Sequence, residues 1–353
     1  MTLREAFEQK ILLLDGGMGS VIQTYGIKGA NNDMLSIEKP DVILDIQRRY
    51  VAAGVDVLTA NTFSSQRVSQ HEYHQENRIA EMNRAAVKIA KQAASEAKDR
   101  QVYVLGDVGP TSKMLSMSED VNDPASRSIT FDELEAAYYE QIDVLVDAGV
   151  DAILIETIFD TLNAKAALSA YQKVKAKTSR PLEVMLSMTV SDASGRTLSG
   201  QTVEAFVVSV MHADPLAIGL NCGLGADGML PYLRRMAAVA PCYISCHPNA
   251  GLPNQFGGYD DTPEDMVKMI QPYLDEKLVN MIGGCCGTTP EHIAAFRKAL
   301  DSLSPEYERR KPVHRPPMLM LSGLEPLAVA PIQKHEKQSF FVKVGERCNV
   351  AGS

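Results

Sequence analysis

Three cysteines in this sequence have the surroundings of a metal site. Cys285 and Cys286 are adjacent within the stretch GGCCG, and Cys222 lies upstream within the stretch GLNCG. Three thiolates around Zn²⁺ leave one tetrahedral position free, which is the arrangement of a catalytic zinc rather than of a closed structural one. Neighbouring side chains on a regular strand point to opposite faces, so the adjacent pair needs a backbone kink, which glycine permits. The pattern predicts a zinc site, with three unrelated core thiols as the alternative.

Two carboxylates follow apolar runs directly, and one of them precedes a pair of glycines. Asp15 stands in the stretch LLLDGGMG, and Glu156 stands in the stretch ILIET. A carboxylate buried at the end of an apolar strand is costly unless it meets a cation or hydrogen-bond donors, so each either binds a ligand's ammonium or braces a loop. The amides of Gly16 and Gly17 can bind a carboxylate, with an ordinary tight turn as the alternative. Together these residues predict an amino-acid ligand.

Eight short apolar runs rich in Val, Ile and Leu alternate with helix-like segments along the chain. Each run is typical of a buried parallel strand, and the intervening segments carry apolar residues at spacings of three and four. This alternation predicts an α/β fold, a (β/α)₈ TIM barrel. The predicted strands span residues 11–15, 55–60, 102–106, 152–156, 182–188, 217–221, 242–246 and 279–283, and the clearest helices span 40–53, 76–97, 131–148, 161–175 and 263–273.

The barrel geometry brings the candidate residues to one place, because active sites of such barrels lie at the C-terminal ends of the strands. Asp15 and Glu156 end the first and fourth predicted strands, Cys222 follows the sixth, and the adjacent cysteines follow the eighth. We therefore expect thiols and carboxylates to meet at one mouth. Asn221, directly before Cys222, is a further candidate substrate contact.

The sequence divides into three regions. Residues 1–303 contain the eight strand and helix repeats and are predicted to form the barrel. Residues 304–338 are rich in Pro and charge and show no sustained period, which predicts an extended linker or strap. Residues 339–353 begin with an apolar strand-like run, FFVKV in the stretch SFFVKV. They are expected to start a further domain of a longer protein, with a short hairpin docked on the barrel as the alternative.

Composition narrows the class of protein. The 353 residues are 45% hydrophobic and 22% charged, as in a globular protein with a full core. The net charge of -9 and the scattered Lys and Arg argue against nucleic-acid binding. No run approaches the roughly 20 apolar residues of a membrane span, and the N-terminus lacks the apolar core of a signal peptide. A cytoplasmic location with reduced cysteines is expected.

Other polar and thiol groups have less specific settings. Cys242 and Cys348 are expected to be ordinary core residues. Cys246 and His247 are chemically suitable zinc ligands at the end of the seventh predicted strand, but the histidine can equally hydrogen-bond a loop. The loop at residues 192–197 has turn composition, and the sequence assigns it no role.

Seven stretches spread over the barrel resemble the homocysteine S-methyltransferase family. They are LLLDGGMGS, LTANTFSS, LIETIFDTLNAKAA, SDASGRTLSGQT, GLNCGLG, CHPNAGLPN and GGCCGTTPEHI. The resemblance is closest to the cobalamin-dependent members. In those proteins the barrel is followed by a segment similar to LSGLEPL and then by a folate-binding barrel whose opening resembles FVKVGERCNVAGS.

The resemblance implies a methyltransferase in which Cys222, Cys285 and Cys286 bind zinc and Asp15 and Glu156 contact homocysteine. Homocysteine would then be held as a zinc-bound thiolate and methylated from methylcobalamin, forming methionine. The chain contains no D-x-H-x-x-G cobalamin motif, so methylcobalamin is expected on a downstream domain, with the folate-binding domain as a further partner in the same protein. Within the family, the alternative is a complete enzyme that uses betaine or S-methylmethionine. The alternative from another class is a zinc-binding scaffold without chemistry.

Overall fold

The computed structural model of the protein describes residues 1–27, 31–255, 257–314 and 319–329. Eight parallel strands form one sheet in the order β1-β8-β7-β6-β5-β4-β3-β2. The two ends of this order meet, because the Asp56 N–H donates to Leu13 O (2.8 Å) and the Asp15 N–H donates to Val57 O (3.2 Å). The sheet is therefore closed, and the predicted (β/α)₈ barrel is confirmed. The strands are β1 Leu12–Leu13, β2 Val57–Thr59, β3 Tyr103–Val108, β4 Ala152–Ile158, β5 Glu183–Met188, β6 Ala217–Gly225, β7 Tyr243–Asn249 and β8 Met281–Ile282.

Twelve helices accompany these strands in the described chain. Their starts follow local capping chemistry: Thr130 accepts from the Glu133 N–H, and the Glu133 carboxylate accepts from the Thr130 N–H. Thr262 caps the helix after β7 through the Asp265 amide. The helices are α1 Leu3–Gln9, α2 Met18–Thr24, α3 Leu35–Glu38, α4 Pro40–Ala52, α5 Arg67–His71, α6 Ile79–Ser95, α7 Phe131–Asp147, α8 Thr161–Lys177, α9 Val203–Val210, α10 Ala226–Val239, α11 Pro263–Asp275 and α12 Pro290–Asp301.

The core has an inner and an outer part. Inward side chains of the strands, among them Leu105, Leu154 and Met185, fill the barrel and pack with Leu3 and Phe7 of α1. The outer part lies between the strands and the surrounding helices. Helix α1, which the sequence analysis did not predict, therefore supplies apolar side chains to the same cluster as the barrel interior. No helix of the described residues is long and apolar enough to cross a membrane.

The segment after α12 is bound to the barrel at the N-terminal ends of the strands. The buried Arg310 guanidinium donates to three backbone carbonyls, those of Cys242 (2.8 Å), Ala240 (2.8 Å) and Ala237 (3.2 Å). These carbonyls belong to the end of α10 and to the turn that leads into β7. Arg310 thus satisfies acceptors that α10 leaves without an intrahelical partner.

A two-stranded antiparallel hairpin, β9 Leu319–Ser322 and β10 Pro326–Val329, lies within the region predicted to be an extended linker or strap. The sequence analysis did not predict these strands, because they are short and are supported by tertiary contacts. The Thr202 N–H donates to Leu324 O (3.0 Å), and the Ser209 and Ser322 hydroxyls are 2.6 Å apart. The predicted domain start at residues 339–353, including Cys348, lies outside the described residues.

Replacing Arg310 with Ala is expected to lower the free energy of unfolding by about 3 kcal/mol, because buried carbonyl acceptors lose a charged donor. Arg309→Ala is the matched control, since Arg309 makes one long hydrogen bond, to Phe7 O at 3.4 Å. Its cost is expected to stay below about 1 kcal/mol in urea unfolding followed by circular dichroism. Equal losses in the two variants would contradict the anchoring role of Arg310.

Candidate active site

The sulfur atoms of Cys222, Cys285 and Cys286 all lie within 4.8 Å of one another. The Sγ atoms of Cys222 and Cys286 are 3.8 Å apart. All three side chains are partly buried and line one cavity at the C-terminal end of the barrel. The cluster that the sequence predicted is therefore present as three converging thiols.

Cys222 reaches the cluster because its backbone leaves the regular strand conformation. Its φ is +56°, a left-handed value that is uncommon for a residue with a side chain. The pairing of β6 with β7 shifts register between Asn221 and Gly225, as at a β-bulge. Gly223 follows with φ +70°, and a Cβ there would lie 2.3 Å from Val190 O. Glycine is thus required beside the turned cysteine.

Cys285 and Cys286 lie beyond the end of β8, in a turn that backbone contacts fix. The Cys285 N–H donates to Pro248 O (2.9 Å), and the Cys286 N–H donates to Asn249 Oδ1 (3.1 Å). A Cβ on Gly284 would lie 2.2 Å from Thr288 Oγ1. The predicted kink at the glycines is present, and it places both neighbouring thiols on the same cavity.

Asn221 has a supporting position rather than a place in the cavity lining. Its Oδ1 accepts from the Thr157 N–H (3.0 Å) and from the Ser187 hydroxyl (2.7 Å). Its Nδ2 donates to Thr157 Oγ1 (2.8 Å) and lies 3.8 Å from Cys285 Sγ. Thr157 also has a positive φ, +56°. The predicted substrate contact therefore braces the backbone beside Glu156 and contacts the thiol cluster.

The cavity has a volume of about 260 Å³ and includes both predicted carboxylates. Its lining comprises hydroxyl, amide, glycine and apolar groups together with four acids and the three thiols. No Lys, Arg or His is among the described lining residues. The acids are Asp15, Asp33, Asp107 and Glu156.

Asp15 is buried and already has donors. The Thr59 N–H donates to Asp15 Oδ2 (2.8 Å), and the Thr59 hydroxyl is 3.1 Å from both carboxylate oxygens. Burial nevertheless raises the pKa of Asp15 to about 7, and the Thr59 hydrogen bonds only partly oppose it. Asp15 therefore braces the Thr59 backbone, which is one of the two alternatives given by the sequence, and its contact with a ligand stays a prediction.

Glu156 is a partly buried residue of β4 that lines the same cavity as the thiols. Burial raises its pKa to about 8, with further contributions from the charges of Cys222 and Asp15. A carboxyl group with this pKa is mostly protonated at neutral pH in the absence of a ligand. A cationic ligand group would favour its ionised form.

Three residues near the site were missed by the sequence analysis. Asp107 lines the cavity and directly follows a predicted strand, so the rule that selected Asp15 and Glu156 would have found it. Asn249 accepts from the Cys286 amide, and the Tyr259 ring lies over Gly287, where a Cβ would be 2.3 Å from it. Neither has a local sequence signal, because their roles depend on contacts between separate loops.

The two predicted glycines differ in what their amides do. The Gly17 N–H donates to Thr288 Oγ1 (3.0 Å), so that amide already has a partner. Gly17 also approaches the last strand closely, since a Cβ there would lie 2.6 Å from Cys285 O. Gly16 lines the cavity beside it. The close approach of backbones, rather than anion binding alone, explains why this turn contains glycine.

Cys246 and His247 do not join the thiol cluster. Cys246 Sγ lies 3.7 Å from Met229 Sδ, in the layer between sheet and helices. His247 is buried, and burial lowers its pKa to about 3, so its ring is neutral. Cys242 is also a core residue, and burial raises the pKa of its thiol to about 12.

The three thiols of the cluster interact strongly with one another. Hydrogen bonds from Cys285 and Cys286 lower the pKa of the Cys222 thiol. The same contacts with Cys222 raise the pKa of Cys285 and of Cys286. Within the described residues, these three are the only Cys, His, Asp and Glu group with metal-ligand spacing. Soft sulfur donors at this separation fit a zinc ion.

Comparison with known proteins identifies the family of this chain and solved structures with a similar fold. The model of the family described as homocysteine S-methyltransferase matches residues 12–300. The oxidised form of the Escherichia coli homocysteine methyltransferase MmuM has a similar fold, with a TM-score of 0.66 and 20% identity over 82% of this chain and 96% of that one. Its metallated form gives a TM-score of 0.64 and 21% identity over the same shares. Because the family model covers most of the sequence, the chain belongs to the homocysteine S-methyltransferase family.

Proposed function

We propose that this protein binds homocysteine and zinc at the barrel mouth and activates the homocysteine sulfur for methyl transfer, so that methionine forms. The observation that carries this proposal is the opening of three clustered thiols onto a cavity lined by acids and by no described cation. The cavity volume of about 260 Å³ lies below that of pockets for drug-sized ligands, which is roughly 300–1,000 Å³. An amino acid suits such a cavity.

Cys222, Cys285 and Cys286 would hold the zinc ion. No fourth Cys, His, Asp or Glu of the described residues joins them, which leaves a coordination position for a substrate atom. When bound, zinc lowers the pKa of a thiol that enters this position, so that the sulfur is nucleophilic near neutral pH. The protein's contribution is to fix three sulfur atoms on the cavity wall, through the turned backbone at Cys222 and the turn after β8.

Carboxyl groups of the cavity would orient the substrate. We propose that Glu156 and Asp15 accept hydrogen bonds from the substrate ammonium. The Gly16 amide would donate to the substrate carboxylate, whereas the Gly17 amide already has Thr288 as its partner. Both ends of the amino acid would then be held while its sulfur reaches the cysteines. Such positioning is a large part of what an enzyme supplies to a transfer reaction.

The methyl donor in our proposal is methylcobalamin on a downstream domain, as in cobalamin-dependent methionine synthase. The support is the similarity of LSGLEPL and FVKVGERCNVAGS to the segments that follow the barrel in that enzyme. The first segment is part of the described hairpin, and the second lies outside the described residues.

The donor proposal can be tested by incubating the zinc-loaded protein and homocysteine with free methylcobalamin, S-methylmethionine or betaine. Methionine, measured by mass spectrometry, is expected from methylcobalamin only, because the other donors would need binding groups of their own. A Cys285→Ala sample serves as the blank for uncatalysed transfer. Methionine from S-methylmethionine or betaine would assign the chain to the direct-transfer alternative, and a protein that binds no homocysteine would contradict the function itself.

Zinc should bind to the wild-type protein at one ion per chain and should be lost from Cys285→Ala, because two thiolates seldom retain the ion that three hold. Metal content by mass spectrometry and competition with a chromophoric chelator measure this. Cys242→Ala is the matched control, since it removes a buried thiol outside the cluster. Undiminished zinc affinity in Cys285→Ala would contradict the three-thiolate site.

Asp15 gives the metal-free protein a defined pH dependence of stability. Its pKa is about 7 in the folded protein against an ordinary 3.8, so only the unfolded chain ionises as pH rises between these values. Stability due to this group is therefore present below about pH 4 and is lost progressively up to about pH 7.

Asn cannot ionise at this position, so the Asp15→Asn variant does not lose stability in this way. The free energy of unfolding of Asp15→Asn minus that of the wild type should therefore rise between about pH 4 and pH 7, by as much as about 4 kcal/mol at pH 7. Denaturant unfolding at pH 5, 6, 7 and 8 measures the difference. Glu5→Gln, at an exposed acid of α1, is the control and should show no such rise. A difference that does not change with pH would contradict the raised pKa of Asp15.

A further inference from the structure

The cavity contains more acidic groups than the proposed substrate contacts use. Four carboxyl groups line it, and no described Lys, Arg or His does. Carboxylates buried without a cation destabilise a protein unless a ligand or a donor compensates them. Asp33 is compensated, because it accepts from the Ser64 N–H (3.0 Å) and from the Ser65 hydroxyl (2.7 Å). Asp107 is compensated less, because the Val108 backbone acts on its carboxyl group but its Oδ1 has no described partner.

Asp107 is an inward residue of β3 and is 7% exposed. Its Oδ1 atom is buried and has no hydrogen-bond partner among the described residues. The charges that act on it come from Glu156, Asp15 and Asp33, and burial together with these carboxylates raises its pKa well above the usual range. An unpartnered carboxyl oxygen therefore faces the cavity close to the two acids already proposed as substrate contacts.

The number of acceptors matches the chemistry of an amino group. A primary ammonium has three N–H donors arranged as a tripod. Asp15 follows β1, Asp107 lies in β3 and Glu156 lies in β4, and all three line the same cavity, so they can approach one cation from different sides. Glu156 and Asp107 Oδ1 receive no hydrogen bond from a described protein group that would compete, whereas Asp15 is already shared with Thr59.

We propose that Asp107 is a third acceptor for the ammonium of the substrate and makes the site selective for thiols that carry a primary amino group. This proposal rests on the proposed function and adds a specificity residue to it. Removal of one charge-assisted hydrogen bond typically weakens binding by about ten- to a hundredfold.

The first test uses the zinc-loaded wild-type protein and three ligands in isothermal titration calorimetry. They are L-homocysteine, 4-mercaptobutyrate, which lacks the amino group, and N-methylhomocysteine, which keeps the charge but has one N–H fewer. We expect both analogues to bind at least about tenfold more weakly than homocysteine. N-methylhomocysteine binding as tightly as homocysteine would overturn the three-acceptor site without any variant.

The second test compares Asp107→Asn with Asp33→Asn, the matched control at an acid whose Oδ1 already has two donors. Asp107→Asn should lose about ten- to a hundredfold in homocysteine affinity and keep its affinity for 4-mercaptobutyrate and its zinc content. Asp33→Asn should keep the preference for homocysteine over 4-mercaptobutyrate.

The outcomes separate this proposal from the function on which it rests. Equal loss of both ligands in Asp107→Asn would assign Asp107 a structural role and overturn the proposal, as would no loss of either. In both cases homocysteine binding by the wild type would leave the proposed function intact. A wild-type protein that does not prefer homocysteine over 4-mercaptobutyrate would overturn both the role of Asp107 and recognition of the amino group.

Discussion

The site depends on a pair of hydrogen bonds between the Asn221 side chain and Thr157. They join two strand ends, β4 at Glu156 and β6 at Cys222, at the points where each leaves regular pairing. Both Thr157 and Cys222 have positive φ, a conformation that costs a residue with a side chain roughly 1–3 kcal/mol. The amide of Asn221 supports both turns at once. The break in side-chain alternation at Cys222 turns its thiol to the cavity that Glu156 also lines.

The same mouth concentrates groups that are unfavourable to bury. Thiols and carboxyls lie together with no described cation beside them, so burial raises the pKa of each acid instead of a salt bridge lowering it. The rest of the barrel offsets this cost through a large apolar core and through anchors such as Arg310. A cationic ligand is the natural compensation, because it favours the ionised acids and replaces lost hydration. The ammonium of an amino acid and a metal ion would both be stabilised by the acids and thiols at this mouth.

Much of this fold follows from sequence periodicity, because parallel strands buried on both faces are continuous apolar runs. The residue after each run lies at the mouth, so Asp15, Glu156 and the cysteines could be placed there in advance. The hydrogen-bond partners of these site residues could not be predicted from the sequence, since they come from separate loops. The Thr288 hydroxyl that takes the Gly17 amide and the Thr59 groups that bind Asp15 have no local signal. The hairpin after residue 318 was missed because its short strands depend on contacts with α9 and the loop before it.

The contact between the first and last strands is narrow. Strands β1 and β8 pair through only two residue positions, Leu12 with Met281 and Leu13 with Ile282. Beyond them, the junction continues through the loops, where the Gly284 N–H donates to Asp15 O (2.9 Å) and the Gly17 N–H to Thr288. The loops that close the ring of strands are therefore the loops that carry the cysteines and the first acid. The contacts that join the first and last strands and the contacts that hold the reaction centre are therefore made by the same loops, and a metal or substrate bound there would stabilise the closed barrel.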